Sequence, residues 1–76
     1  MVTTTLDLAG LKCPLPALRT RKALGKLQIG DRLSVLCTDP LSAIDIPHLV
    51  NATGNHLIEV TRDQATITFL IEIKSI

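Results

Sequence analysis

Cysteine is the side chain here that can act as a nucleophile without a neighbouring base, and the chain has two, Cys13 and Cys37. Cys13 opens the run Cys13-Pro14-Leu15-Pro16, in which two prolines fix backbone torsion where a helix should begin. The run predicts Cys13 at the N-cap. An N-cap side chain accepts a hydrogen bond from the second or third helical N–H; Pro16 takes the third position and has none to give, so Leu15 is the expected donor. The positive end of the helix dipole, with Lys12 beside it, is expected to favour thiolate and bring the thiol below its free pKa of about 8.5. Such a cysteine suits sulfur transfer. A persulfide ionises near neutral pH and is attacked by another thiolate, so an exposed, anion-stabilising Cys13 suffices, with Pro14, Leu15 and Pro16 holding the helix start.

Other chemistry finds little support. Cys37 lies in the apolar run Leu33-Ser34-Val35-Leu36-Cys37 and reads as inert core, with a resolving role open only if it lies near Cys13. Cys13, Cys37, His48 and His56 share none of the close spacings of zinc ligands, so no metal and no cofactor is expected. His48 and His56 read as surface or capping residues, with no acid placed to orient either. There is no glycine-rich phosphate loop and no Ser-His-Asp set, and the carboxylates are scattered singly, so there is no hydrolytic or nucleotide-dependent chemistry to assign. The chain looks too small for a complete enzyme. It reads as a protein that receives a group on one cysteine and passes it to something larger.

With 76 residues, folding hides only about 60% of the unfolded surface, enough for one modest core and one domain spanning residues 1–76. Hydrophobic residues make up 46% of the chain, but Phe69 is the one aromatic, so the core must be built from Leu, Ile, Val and Ala. No apolar run approaches the ~20 residues needed to cross a bilayer, and the first residues lack the pattern of a signal peptide; a cytoplasmic location is expected, where thiols stay reduced. Net charge is +1, yet Lys12, Arg19, Arg21, Lys22 and Lys26 fall between Leu8 and Gly30 without an acid among them. A solvated helix face explains such a run, and so does a docking surface.

The elements alternate. Thr3 to Leu8 reads as a strand with Leu6 and Leu8 inward and Thr3, Thr5 and Asp7 outward. Pro14 to Leu27 reads as a helix whose stripe of Ala17, Thr20, Leu24 and Leu27 faces the core. Leu15 and Leu18 then project to the opposite side with Arg19, Lys22 and Lys26; together with Lys12 they make the expected partner-docking surface. Arg32 to Thr38 is a central strand stopped by Asp39-Pro40. In the second helical region Asp39 can cap a first turn and Asp45 the main run, with Pro47 early in it, a buried stripe of Ile46, Leu49, Val50 and Thr53, and Gly54 at its end. Leu57 to Arg62 and Ala65 to Ile73 are antiparallel strands joined through Asp63-Gln64. The order βαβαββ, with right-handed crossovers, predicts a two-layer α/β sandwich: a four-stranded mixed sheet with both helices on one face.

The stretch from Leu6 to Pro16 closely resembles the amino-terminal signature of the TusA/SirA-like sulfur carrier family, with its Gly-Leu-x-Cys-Pro-x-Pro core. Asp39-Pro40, Asp45-Ile46-Pro47 and Gly54 match a second family pattern, and together the two span nearly the whole chain. The resemblance implies the same sandwich, with a fold like the C-terminal domain of bacterial translation initiation factor three, and a persulfide on Cys13. It implies a cysteine desulfurase or another sulfurtransferase as donor. It also implies a downstream acceptor protein in tRNA thiolation, cofactor assembly or sulfur oxidation; some relatives work beside a thiosulfate-uptake membrane protein. The chain departs from the family in having Gly54-Asn55-His56 where Gly-His is common, and an apolar Leu15 where tRNA-thiolation members often carry an acid.

Two other uses of these residues stay open. A redox-responsive regulatory or interaction module would cycle Cys13 through sulfenate or a disulfide. A module for RNA would set Arg19, Arg21, Lys22 and Lys26 on phosphates, but the sheet lacks stacking aromatics, so direct nucleic-acid contact is not expected.

Overall fold

The structure is a computed structural model, and it describes residues 2–75. Its elements run β1 (Thr3–Leu8), α1 (Leu15–Leu24), β2 (Arg32–Cys37), α2 (Ser42–Ala52), β3 (His56–Asp63) and β4 (Thr66–Glu72). The four strands form one sheet in the order β1-β2-β4-β3. β1 and β2 pair in parallel, with Leu8 opposite Cys37, while β4 lies antiparallel to both β2 and β3. Both helices pack on one face of this mixed sheet and touch each other. The expected two-layer α/β sandwich is the observed one.

Alternation along the strands explains which face the helices cover. Leu8, Leu33, Val35, Cys37, Ile67, Phe69, Ile71 and Ile73 all point into the core, and Leu33, Val35, Cys37, Phe69, Ile71 and Ile73 are fully shielded from solvent. The helices add Leu24 and Ile46, Leu49 and Val50, as their stripes predict. Burying side chains of this size contributes about 1.5–3 kcal/mol each, more than the few tenths by which most residues differ in helix propensity. Packing on the sheet, not propensity, therefore holds the two short helices.

Several boundaries differ from expectation. α1 ends at Leu24 instead of Leu27, because Gly25 caps it and Lys26 and Leu27 donate to Ala23 and Leu24 carbonyls in a tighter turn; Leu27 still packs against the core. The second helical region is one helix from Ser42, so Pro47 lies inside it and leaves the Ala43 carbonyl without its helical donor. Asp45 falls within the first turn and caps nothing. At the other end, Asn55 N–H bonds the Val50 carbonyl and Gly54 N–H that of Asn51, a Schellman closure that needs the φ of +78° found at Gly54. The β3–β4 hairpin turns through Gln64-Ala65, not Asp63-Gln64, with Gln64 at φ 55°. A register shift between Leu57 and Glu59 marks a bulge in β3.

The candidate functional site at the start of both helices

Parallel pairing of β1 and β2 sends the segments after them out of the same end of the sheet. The β1–α1 loop is hung on the end of β2: Gly10 N–H donates to Thr38 Oγ1 at 2.9 Å, and Cys13 N–H donates to Asp39 Oδ2 at 2.6 Å. The other oxygen of Asp39 accepts from Leu41 N–H at 3.1 Å, so one carboxylate ties the loop before α1 to the turn before α2. Ser42 Oγ donates to the Asp39 carbonyl at 2.6 Å and fixes the same turn. Cys13 is thereby held at the surface where the two helices begin.

The thiol itself donates to Asp45 Oδ2, with Sγ 3.1 Å from the oxygen. That contact overturns the electrostatic expectation. The hydrogen bond to Asp45, helped by desolvation and by the charges of Asp45 and Asp39, pushes the Cys13 thiol above its ordinary value. The helix start does not compensate, for Cys13 is not the N-cap. Pro14 holds that position, after a cis Cys13–Pro14 peptide, and makes no side-chain cap bond. Leu15 N–H, the donor expected for the sulfur, goes to the Lys12 carbonyl at 2.9 Å. Pro14, Leu15 and Pro16 do form the helix start, with Pro16 buried against the core.

From local sequence Asp39 and Asp45 read as helix caps, with no link from either to Cys13. The signal that could have found them is topological: in a strand-helix-strand unit with neighbouring parallel strands, the residues after each strand end meet at one edge of the sheet. Cys37 is the opposite case. It is fully buried beneath the site, and burial pushes its thiol up.

Exposed apolar side chains lie on both of the elements that begin beside Cys13. Leu15 and Leu18 are exposed at 42% and 57%, as expected of the face of α1 that turns away from the core. Leu41 and Ile44, which no sequence pattern singled out, are exposed at 52% and 69% on the segment that carries Asp45. Arg19, Lys22 and Lys26 line an open groove with Leu6 and Ala23, whereas Arg21 lines a separate depression with Leu24, Gly25, Thr53, Asn55 and Ser75. Lys12 is exposed in the loop next to Cys13. The five cations between Leu8 and Gly30 make no ion pair among the described residues.

Fold and site together define a small α/β domain that presents one thiol at its surface. The family model described as sulfurtransferase TusA matches residues 4–73. The sulfur carrier protein TusA of Allochromatium vinosum is 42% identical over 67 residues, covering 88% of each chain. That of Pseudomonas putida strain F1 is 34% identical over 70 residues, 92% of this chain and 88% of its own. Among solved structures, a SirA-like protein from Desulfitobacterium hafniense superposes with a TM-score of 0.82 at 27% identity, covering 95% of this chain and 99% of its own. The chain belongs to the TusA family of sulfur carriers, proteins that exchange sulfur with donor and acceptor proteins.

Proposed function

We propose that the protein, acting as one unit over residues 1–76, takes up sulfane sulfur as a persulfide on Cys13 and delivers it to a downstream acceptor protein. The observation that carries this reading is the pairing of an exposed Cys13, held by its own N–H on Asp39, with a second cysteine buried in the core. A carrier needs one sulfur that two partners can reach in turn. The donor is a cysteine desulfurase or another sulfurtransferase, and the exchange takes place in the cytoplasm. Lys12, Leu15, Leu18, Arg19, Lys22 and Lys26 supply the docking surface, and the exposed Leu41 and Ile44 extend its apolar part. The acceptor belongs to tRNA thiolation, cofactor assembly, sulfur oxidation or thiosulfate utilisation, in the last case with a thiosulfate-uptake membrane protein as a further partner. No helix among the described residues is itself long and apolar enough to cross a membrane.

The alternative of a Cys13–Cys37 redox pair is disfavoured by the complete burial of Cys37. An RNA role is disfavoured by the split of the basic run, which puts Arg21 in a different depression from Arg19, Lys22 and Lys26.

Intact mass spectrometry without reductant tests the reading, after incubation with a cysteine desulfurase and cysteine, or with thiosulfate and a sulfurtransferase. The wild type should gain about 32 Da, reversibly with dithiothreitol, and Cys13→Ser should gain nothing. A gain that survives in Cys13→Ser, or no gain from any donor, overturns it.

A further inference from the structure

The carboxylate on Cys13 is a puzzle for a carrier, because it opposes the thiolate that sulfur uptake requires. Asp45 is half-buried in the first turn of α2, its Oδ2 3.1 Å from Sγ, and it has no ion pair among the described residues. The charges acting on the sulfur come from Asp45 and, through the β2–α2 turn, from Asp39, with Lys12 next to Cys13 in the chain. Exposed Leu15, Leu18, Leu41 and Ile44 lie on the elements that meet at this point. A partner that covers those side chains also strips water from Asp45. An unpaired carboxylate cannot be buried cheaply, so such a partner must bring a cation or strong donors to it.

We propose that Asp45 guards Cys13: its carboxylate, hydrogen-bonded to the thiol of the free carrier, keeps that sulfur from reacting until a lysine or arginine of the docked sulfur donor draws the carboxylate away. The guard itself is independent of the persulfide reading; the transfer that its release permits rests on that reading. In the transfer, Sγ bonds to the sulfane sulfur of the donor's persulfide as the donor's own S–S bond breaks. The donor cysteine leaves as a thiolate and takes up the proton that Cys13 loses, so the exchange consumes no oxidant. A free carrier is in this way protected from adventitious alkylation and oxidation, and the sulfur becomes nucleophilic only opposite a donor whose surface is apolar with a cation set in it.

The test compares wild type and Asp45→Asn in two assays. Iodoacetamide alkylation of the unloaded protein at pH 7 needs no sulfur donor; the variant should react faster by roughly threefold or more, since the amide removes the charge that opposes the thiolate. Loading by a cysteine desulfurase with cysteine, or by a sulfurtransferase with thiosulfate, should be slower in the variant by a similar factor, because the donor's cation has lost its counter-charge. Asp45→Ser, which also removes the charge, should behave alike and controls for an effect peculiar to the amide. Equal or slower alkylation in both variants overturns the guard. Faster alkylation together with unchanged or faster loading overturns the role of the donor's cation. If no donor loads even the wild type, the persulfide reading fails while the alkylation arm still decides the guard.

Discussion

Cys13 owes its chemistry to a residue 32 positions further along the chain. A carboxylate accepting a hydrogen bond from the thiol stabilises the neutral form, and the charge of Asp39 adds to it, so the direction of the shift is upward. Thiolate therefore appears only as pH rises through a value above the ordinary one, and the rate of Cys13 alkylation in the free protein should keep climbing past the point where a free cysteine has levelled off. A plateau reached at or below about pH 8.5 would contradict the shift. A second residue-scale expectation concerns Thr20, whose hydroxyl is buried beneath α1 with no hydrogen-bond partner among the described residues. Thr20→Val keeps the shape and removes an unsatisfied polar group, so it should raise stability by about 1 kcal/mol in a denaturant melt. A lower midpoint would mean that the hydroxyl has a partner in solution.

At the scale of elements, α1 serves two masters. Thr20 and Leu24 face the sheet while Leu15 and Leu18 face solvent, so the two leucines can be changed without touching the core. Replacing both with Glu should leave the thermal midpoint within a few degrees of wild type, since exposed substitutions cost about 0.5 kcal/mol or less. Sulfur uptake should nevertheless fall several-fold, because two charges would sit on the apolar part of the proposed docking surface. Unchanged uptake at wild-type stability would remove Leu15 and Leu18 from that surface. α2 is divided in the same manner: Ile46, Leu49 and Val50 hold it to the sheet, and Asp45, one position before Ile46, carries its carboxylate to the sulfur.

For the molecule as a whole, the two cysteines report on the fold. Cys13 is exposed and Cys37 has no accessible surface, so a thiol reagent such as dithionitrobenzoate should titrate one thiol per native chain and a second only on unfolding. Two thiols titrating quickly under native conditions would mean that the sheet opens at the end of β2. The same measurement shows whether the Asp45 variants are folded before their reactivity is compared.

Much of this protein is written in local pattern. Alternation in β1, β2 and β4 and the stripes of the two helices follow from a few residues each, and Cys13 is marked by the prolines beside it, so the elements, the sandwich and the exposed cysteine were legible in the order of residues. Strand order was not, since β4 enters between β2 and β3 through pairings between distant segments. Nor were the partners of Cys13. Asp39 and Asp45 each stand where a helix could be capped, and nothing within a few residues distinguishes a cap from a ligand of Cys13. Only the parallel pairing of β1 with β2 sets the loop after one against the turn after the other, and that turned an expected thiolate into a thiol held by a carboxylate. Local sequence determines conformation and burial because both depend on near neighbours. The ionisation of a surface sulfur depends on which charges lie within a few ångströms in space, and the tertiary structure alone decides that.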